Sequence, residues 1–274
     1  MPAARLLFAA RAPREIRMTY RARPDDGAAW VTGASSGIGR AVALELARRG
    51  YEVYATARRV GELESLVAQA GGLKGAIVAA PGDVVDREGL LTLAASIERR
   101  RPIALAVLNA GGAARDPFED FGGPGFQQTF ALNVQGVANC LHPLLPAMRA
   151  RGRGQIAIVG SISGYGGLPN AGAYAPSKAA VISLAVGLRF LVEKFGVTVQ
   201  IVNPGYIRTP LTADNKFPMP FLMEVDDAAR RLCDGLERGG FEIRFPRRLA
   251  WILRALNGLP YGAYFWAFNR AGVR

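Results

Sequence analysis

From Ala28 onward the chain alternates short, unbroken apolar runs with longer stretches of helical periodicity, and that pattern leaves few folds open. The runs are Ala29–Thr32, Glu52–Thr56, Ala76–Ala80, Ile103–Leu108, Gln155–Val159, Thr198–Val202 and Glu242–Phe245. They are rich in Val, Ile and Ala and do not alternate polar with apolar residues. A strand with one wet face must alternate, whereas a strand covered on both faces need not. Helix-length segments lie between them, among them Arg40–Arg49, Asp86–Arg100, Phe126–Arg149 and Ala173–Phe195. Alternation of this kind predicts an α/β fold, a doubly wound parallel sheet in three α/β/α layers. No internal repeat or long linker interrupts residues 25–245, so they are read as a single domain. A basic extension, residues 1–24, is expected to be disordered, and an apolar, basic extension, residues 246–274, follows the domain.

Composition removes several kinds of chemistry. Two cysteines, Cys140 and Cys233, can build neither a disulfide framework nor a structural zinc site, and read as buried thiols of a reducing compartment. The one histidine, His142, would have to serve any Ser-His-Asp triad, and it reads instead as a helix residue packed against its neighbours. No metal is expected. The net charge of +12 is concentrated at the ends. Residues 1–24 carry six Arg and one Glu, and so do residues 241–274, which leaves only +2 for the body between them. A nearly neutral body argues against nucleic acid as a partner. Met1 to Arg17 is Arg-rich and acid-poor, with an apolar run too short to span a membrane. It has the composition of a mitochondrial presequence, or it precedes a functional start at Met18, the reading favoured because Met18-Thr19-Tyr20 leads straight into the domain.

In sheets of this class, ligands bind beyond the carboxyl ends of the strands, and the distinctive residues follow strands. Thr32-Gly33-Ala34-Ser35-Ser36-Gly37-Ile38-Gly39 joins the first strand to a helix. Gly33 permits a tight turn, Gly37 lets backbone approach a pyrophosphate, and Gly39 permits close helix–strand packing. The helix amides then face phosphate charge. Tyr174-Ala175-Pro176-Ser177-Lys178 places a phenol and an ammonium four residues apart on one helix face. A nearby cation is expected to lower the tyrosine pKa from about 10, so that Tyr174 can exchange a proton with a carbonyl or alcohol oxygen.

Ser161 precedes Tyr174 by thirteen residues, Asn109-Ala110-Gly111 follows another strand, and Asn133 sits in the long helix after it. With the glycine turn, Asp83 and the run Pro204-Gly205-Tyr206-Ile207-Arg208-Thr209, these residues resemble the short-chain dehydrogenase/reductase family in its compact branch. The resemblance covers residues 28 to 245 and implies a Rossmann-type domain and hydride transfer between a nicotinamide cofactor and a carbonyl or alcohol substrate. It further implies that Tyr174 is the acid/base and that Lys178 lowers its pKa and holds the nicotinamide ribose. Ser161 would orient the substrate oxygen, in preference to Ser163. Asn133 would hold a water linking Lys178 to solvent. Asp83 would meet the adenine edge, and Asn109 would steady the central strand beside Gly111. Ile207 and Thr209 would hold the carboxamide, with Pro204 and Gly205 beside the ring. Two long helices, Phe126–Arg149 and Ala173–Phe195, would pair across a two-fold axis in a homodimer or homotetramer.

At the end of the second strand, Ala57-Arg58-Arg59 offers no carboxylate for the ribose hydroxyls of NAD. Arg58 can pair with a 2′-phosphate and Ser36 can add a hydroxyl, which favours NADP(H) over NAD(H). A 3-oxoacyl reductase is the rival activity, although such chains stop soon after the last strand and this one continues to Arg274. A non-catalytic cofactor sensor is the other alternative, although such proteins lose part of the tetrad and all four members are present here. The extension from Pro246 is dense in aromatic residues and Arg. It either folds over the cleft, packs on the domain or a partner subunit, or touches a membrane surface without spanning it. An apolar extension favours a lipophilic small molecule as substrate, in a cytoplasmic enzyme.

Overall fold

A computed structural model of the protein describes residues 20–270 except 115, 170, 214, 216 and 217. The presequence-like segment Met1 to Arg17 therefore lies outside the described residues. Among the described residues, seven strands form one parallel sheet: β1 (Ala28–Thr32), β2 (Glu52–Thr56), β3 (Ala76–Ala79), β4 (Ile103–Leu108), β5 (Gly154–Val159), β6 (Val197–Pro204) and β7 (Glu242–Phe245). They lie in the order β3-β2-β1-β4-β5-β6-β7. The chain leaves the sheet edge at β3 and returns beside β1 as β4. The order reverses there, and a crevice opens between the carboxyl ends of β1 and β4.

Each strand feeds two cores, which is why the apolar runs do not alternate. Ala29, Val31, Val53 and Val107 face α1 (Gly37–Arg48), α2 (Val60–Gln69) and α7 (Val225–Arg238). Trp30, Tyr54, Ala106 and Ile158 face α3 (Arg87–Arg100), α5 (Gly136–Arg151) and α6 (Tyr174–Val192). The Trp30 indole is fully buried, and its N–H finds an acceptor in Thr56 Oγ1 at 2.8 Å. Asp86 caps α3 by accepting from the Gly89 N–H at 3.1 Å. Gly152, at φ +68°, closes α5 in a left-handed conformation that a side chain would strain.

Three departures from the sequence reading have physical causes. Tyr20 to Pro24, expected in the disordered extension, belong to the domain. Tyr20 and Ala22 alternate inward while Arg21 and Arg23 stay exposed, so the charge conceals a docked segment. The Ala22 N–H donates to Gln155 Oε1 at 2.8 Å, and Tyr51 donates to the Ala22 carbonyl at 2.6 Å. His142 lies on α5 but is exposed, not packed against neighbours. The long helix expected over 126–149 runs from Pro124 to Arg151 but is not uniform. α4 (Pro124–Phe130) and α5 are joined by one wide π turn, Ala131–Gln135. After β7, α8 (Arg247–Asn257) and α9 (Tyr261–Arg270) pack back against the loop that follows β5.

Candidate active site

The crevice is closed at its base by latched strand ends. Thr32 ends β1, and its Oγ1 accepts the backbone N–H groups of both Asn109 and Ala110 at 3.1 Å. The Asn109 amide donates back to the carbonyls of Thr32 and Gly33, at 3.1 and 3.3 Å. This contact admits no side chain at Gly33 or Gly39. A Cβ on Gly33, itself at φ +68°, would stand 2.8 Å from the Ala110 Cα, and one on Gly39 would stand 2.3 Å from the Gly33 oxygen. The turn delivers the chain to the first turn of α1, where Ser36 is the N-cap but makes no side-chain capping bond. No acid lies in that first turn. Its leading N–H groups and dipole are thus free to meet an anion, which fits a phosphate group.

Ser161 follows β5 and starts a short 3-10 turn, Ile162–Tyr165. Its Oγ accepts from the Ser163 N–H at 3.2 Å and lies 2.9 Å from Ser163 Oγ, so the second serine supports the first. Tyr174 opens α6, where Pro176 falls in the first turn and costs no helical hydrogen bond. One turn further on, Lys178 Nζ stands 5.7 Å from the centre of the Tyr174 ring and donates to the Val159 carbonyl at 2.9 Å. Asn133 sits in the π turn, 1% exposed. Its Oδ1 accepts from the Gly112 N–H, and its Nδ2 donates to the Gly112 carbonyl and to Ser177 Oγ, all at 2.9 Å. Gly111 is wedged among these groups: a Cβ there would lie 3.0 Å from Asn133 Oδ1 and 3.1 Å from Lys178 Nζ.

Ser161, Tyr174 and Lys178 line one cleft of about 160 Å³. Of the residues assigned to the cofactor, Gly33, Ser36, Gly37, Ile38, Asn109 and Gly111 line it from the β1/β4 side. Pro204, Gly205, Ile207 and Thr209 line it from beyond β6. Asn133 lies behind Gly111, not on the wall. Ser35, Gly39, Arg58 and Asp83 also lie off the wall. Arg58 is exposed at the end of β2, 3.8 Å from Asp83 Oδ2, and Asp83 Oδ1 accepts from the Val85 N–H at 3.0 Å. Arg59, beside it, reaches across the glycine turn to Ser35 Oγ at 2.9 Å. Sequence reasoning passed over that contact, as it did the roles of Thr32 and Ser177. Only the adjacency of two arginines hinted at it.

Electrostatics correct one expectation. Burial pushes the Tyr174 phenol above its ordinary value, while its hydrogen bond with Ser161 acts the other way. Lys178 does not reverse the balance, because burial lowers its own pKa to about 8 and weakens its hold on charge. The Tyr174 phenol is therefore favoured over its phenolate at physiological pH.

The family model described as short chain dehydrogenase matches residues 27–218. An uncharacterized oxidoreductase from Myxococcus xanthus is 38% identical over 251 residues, covering 89% of this chain and 94% of its own length. Among solved structures, a short-chain dehydrogenase from Sphingobium yanoikuyae in complex with NADPH superposes with a TM-score of 0.75 at 28% identity, covering 86% of this chain and 94% of that one. A 3-ketoacyl-ACP reductase from Sinorhizobium meliloti gives 0.71 at 29% identity, with coverages of 80% and 96%. A doubly wound sheet, a glycine turn latched to Asn109 and a cleft bearing Ser161, Tyr174 and Lys178 meet in one chain with these relatives, and the chain belongs to the short-chain dehydrogenase family of oxidoreductases.

Proposed function

We propose that the protein is an NADP(H)-dependent carbonyl reductase or alcohol dehydrogenase acting on a lipophilic ketone or aldehyde and the corresponding alcohol. The observation that carries this reading is the convergence of Ser161, Tyr174 and Lys178 in a cleft that runs to an uncapped helix N-terminus. A bound nicotinamide supplies or accepts the hydride. Ser161 hydrogen-bonds the substrate oxygen and orients it. Tyr174, its phenol form favoured by burial, donates its proton to that oxygen in reduction; in oxidation its phenolate, having released that proton through Lys178, takes the proton of the alcohol. Lys178, with its pKa near 8, shares in the proton exchange, and Asn133, clamped by Gly112 and Ser177, anchors the water that returns protons from solvent. The glycine turn and the α1 amides hold the pyrophosphate, Asp83 the adenine edge, and Ile207 and Thr209 the carboxamide. Arg58 and Arg59, with no acid at the end of β2, support the choice of NADP, in keeping with the NADPH complex of the Sphingobium relative. Lys178 is the sole charged side chain on the cleft wall among the described residues, which supports a lipophilic substrate.

A panel of cyclic ketones, medium-chain aldehydes and an acetoacetyl thioester, assayed with NADPH and with NADH, tests the reading. Turnover with NADPH is expected on the apolar carbonyls, and Tyr174→Phe should abolish it while the affinity for NADPH stays within a few-fold. Comparable turnover by Tyr174→Phe, or a wild-type preference for NADH, overturns the corresponding half of the proposal. The likeness to a 3-ketoacyl-ACP reductase favours one second reading, reduction of a 3-oxoacyl thioester. It is selected if the acetoacetyl thioester far outruns every free ketone.

A further inference from the structure

Outside the cleft lies a deeply placed carboxylate, Glu242, whose side chain is 10% exposed. Its Oε1 accepts from the Tyr165 hydroxyl at 2.6 Å and from Asn203 Nδ2 at 2.8 Å. Its Oε2 pairs with Arg244 and, at 3.0 Å, with Arg254 of α8. A charge so placed needs every one of these partners, since an unpaired buried carboxylate is strongly unfavourable.

The geometry of the partners gives the cluster a direction. Tyr165 is the last residue of the 3-10 turn that Ser161 begins. Asn203, fully buried, lies under the residue before Ser161, where a Cβ on Gly160 would be 2.6 Å from Asn203 Oδ1. Glu242 thus holds the far end of the serine turn by a hydrogen bond from Tyr165, and it fixes Asn203, which packs closely against Gly160 at the near end. On the outer side the Arg254 guanidinium lies 4.9 Å over the Tyr165 ring, and Arg244 lies 4.5 Å over the ring of Trp251 in α8. From α9, Tyr264 donates to the Gly167 carbonyl, two residues beyond Tyr165. None of the described residues of α8 or α9 lines the cleft, yet both helices hold the segment that carries the serine. The turn is a short 3-10 element of four residues, Ile162–Tyr165, entered by the bond from the Gly164 N–H to the Ser161 carbonyl at 3.0 Å.

We propose that Glu242 is a positioning residue for Ser161, acting through Tyr165 and Asn203, and that α8 and α9 serve the reaction by holding that carboxylate in place. This rests on the reading of Ser161 as the group that orients the substrate oxygen. Displacement of the hydroxyl by a fraction of an ångström then slows the chemical step without disturbing the cofactor groove on the far side of the cleft.

The test uses the full-length enzyme, NADPH, and the carbonyl compound turned over fastest in the panel above. Tyr165→Phe removes one hydroxyl and keeps the ring under Arg254. It should lower kcat about tenfold, leave the Kd for NADPH within twofold, and raise the isotope effect on kcat with 4-deuterated NADPH. Arg254→Met should act in the same direction, and Arg254→Lys should recover most of the loss. Because both positions act through Glu242, the Tyr165→Phe/Arg254→Met double variant should lose no more than the worse single variant. Wild-type kcat and isotope effect in Tyr165→Phe and Arg254→Met, with only the melting temperature lowered, overturn the proposal. Ser161→Ala separates the two levels. If it alone is inactive, only the positioning role of Glu242 fails; if it turns over normally, the reading of the cleft fails with it.

Discussion

Burial takes the Lys178 ammonium from its ordinary value of 10.5 down to about 8. Below pH 8 the folded and unfolded chains both carry that proton, and the fold bears the cost of a buried charge. Between pH 8 and 10.5 the unfolded chain binds more protons than the folded one, so stability rises with pH; above that both forms are neutral. The displacement corresponds to roughly 3 kcal/mol, against about 1 kcal/mol for the bond to the Val159 carbonyl. Lys178→Met should therefore be inactive yet about 2 kcal/mol more stable at pH 7 in urea unfolding. Its advantage should shrink between pH 8 and 10.5; a difference independent of pH would refute the account. Arg58 and Arg59 invite a second measurement. Charge-assisted bonds to a 2′-phosphate are worth about 1.5–3 kcal/mol, so alanine at either position should raise KM for NADPH by roughly 10- to 100-fold. KM for NADH should hardly move, and equal losses on both cofactors would remove these residues from selection. The grouping of Ser161, Tyr174 and Lys178 in one cleft was legible because residue type and spacing together singled them out. The Arg59–Ser35 contact was not, because it depends on a side chain crossing a turn, which no spacing rule describes.

Elements were legible where burial wrote them. β2, β4 and β7 have the bounds expected from their apolar runs, whereas β6 extends to Pro204 because β7 pairs with it there. The π turn left no such trace. Its residues Ala-Leu-Asn-Val-Gln continue ordinary helical periodicity, and only the bonds from Asn133 to Gly112 and Ser177 explain why the helix widens. Asn133→Ala would remove the partner of both the Gly112 N–H and the Gly112 carbonyl, while the Ser177 hydroxyl would keep its bond to the Tyr174 carbonyl. A loss of about 2–4 kcal/mol in urea unfolding is expected, together with a large fall in turnover. A variant of wild-type stability would show that the wide turn is held by something else. The direction of the Glu242 cluster was equally hidden, because its partners Tyr165, Asn203, Arg244 and Arg254 come from four separate segments.

For the whole molecule, the doubly wound parallel sheet followed from strand–helix alternation, but the strand order and the outer surface did not. The segment Tyr174–Phe195 is long and apolar enough to cross a membrane by length and composition. Its inner face, with Val181, Ala185 and Leu188, is committed to the sheet. Its outer face leaves Phe190 75% and Leu191 64% exposed beside a groove between α5 and α6. A second copy meeting this face across a two-fold axis would bury both helices at once. Light scattering at micromolar concentration should report a dimer or a tetramer built from it, and Phe190→Glu should shift the population toward monomer with unchanged circular dichroism. A wild-type monomer would refute this.

The crevice itself has a consequence for how the protein is made. Ala28 of β1 pairs with Ile103 of β4, a separation of 75 residues (103 − 28). A ribosome delivers the glycine turn long before it delivers Asn109, the side chain that latches it. Parallel pairing at such distance is slow, and the emerging N-terminal half holds an unfinished sheet edge until β4 arrives. The groups that line the cleft run from Gly33 to Thr212, so no nascent fragment that stops short of β6 presents the whole of it. A translation product that stops short of Thr212 therefore lacks part of the cleft wall and is expected to be inert rather than half-active.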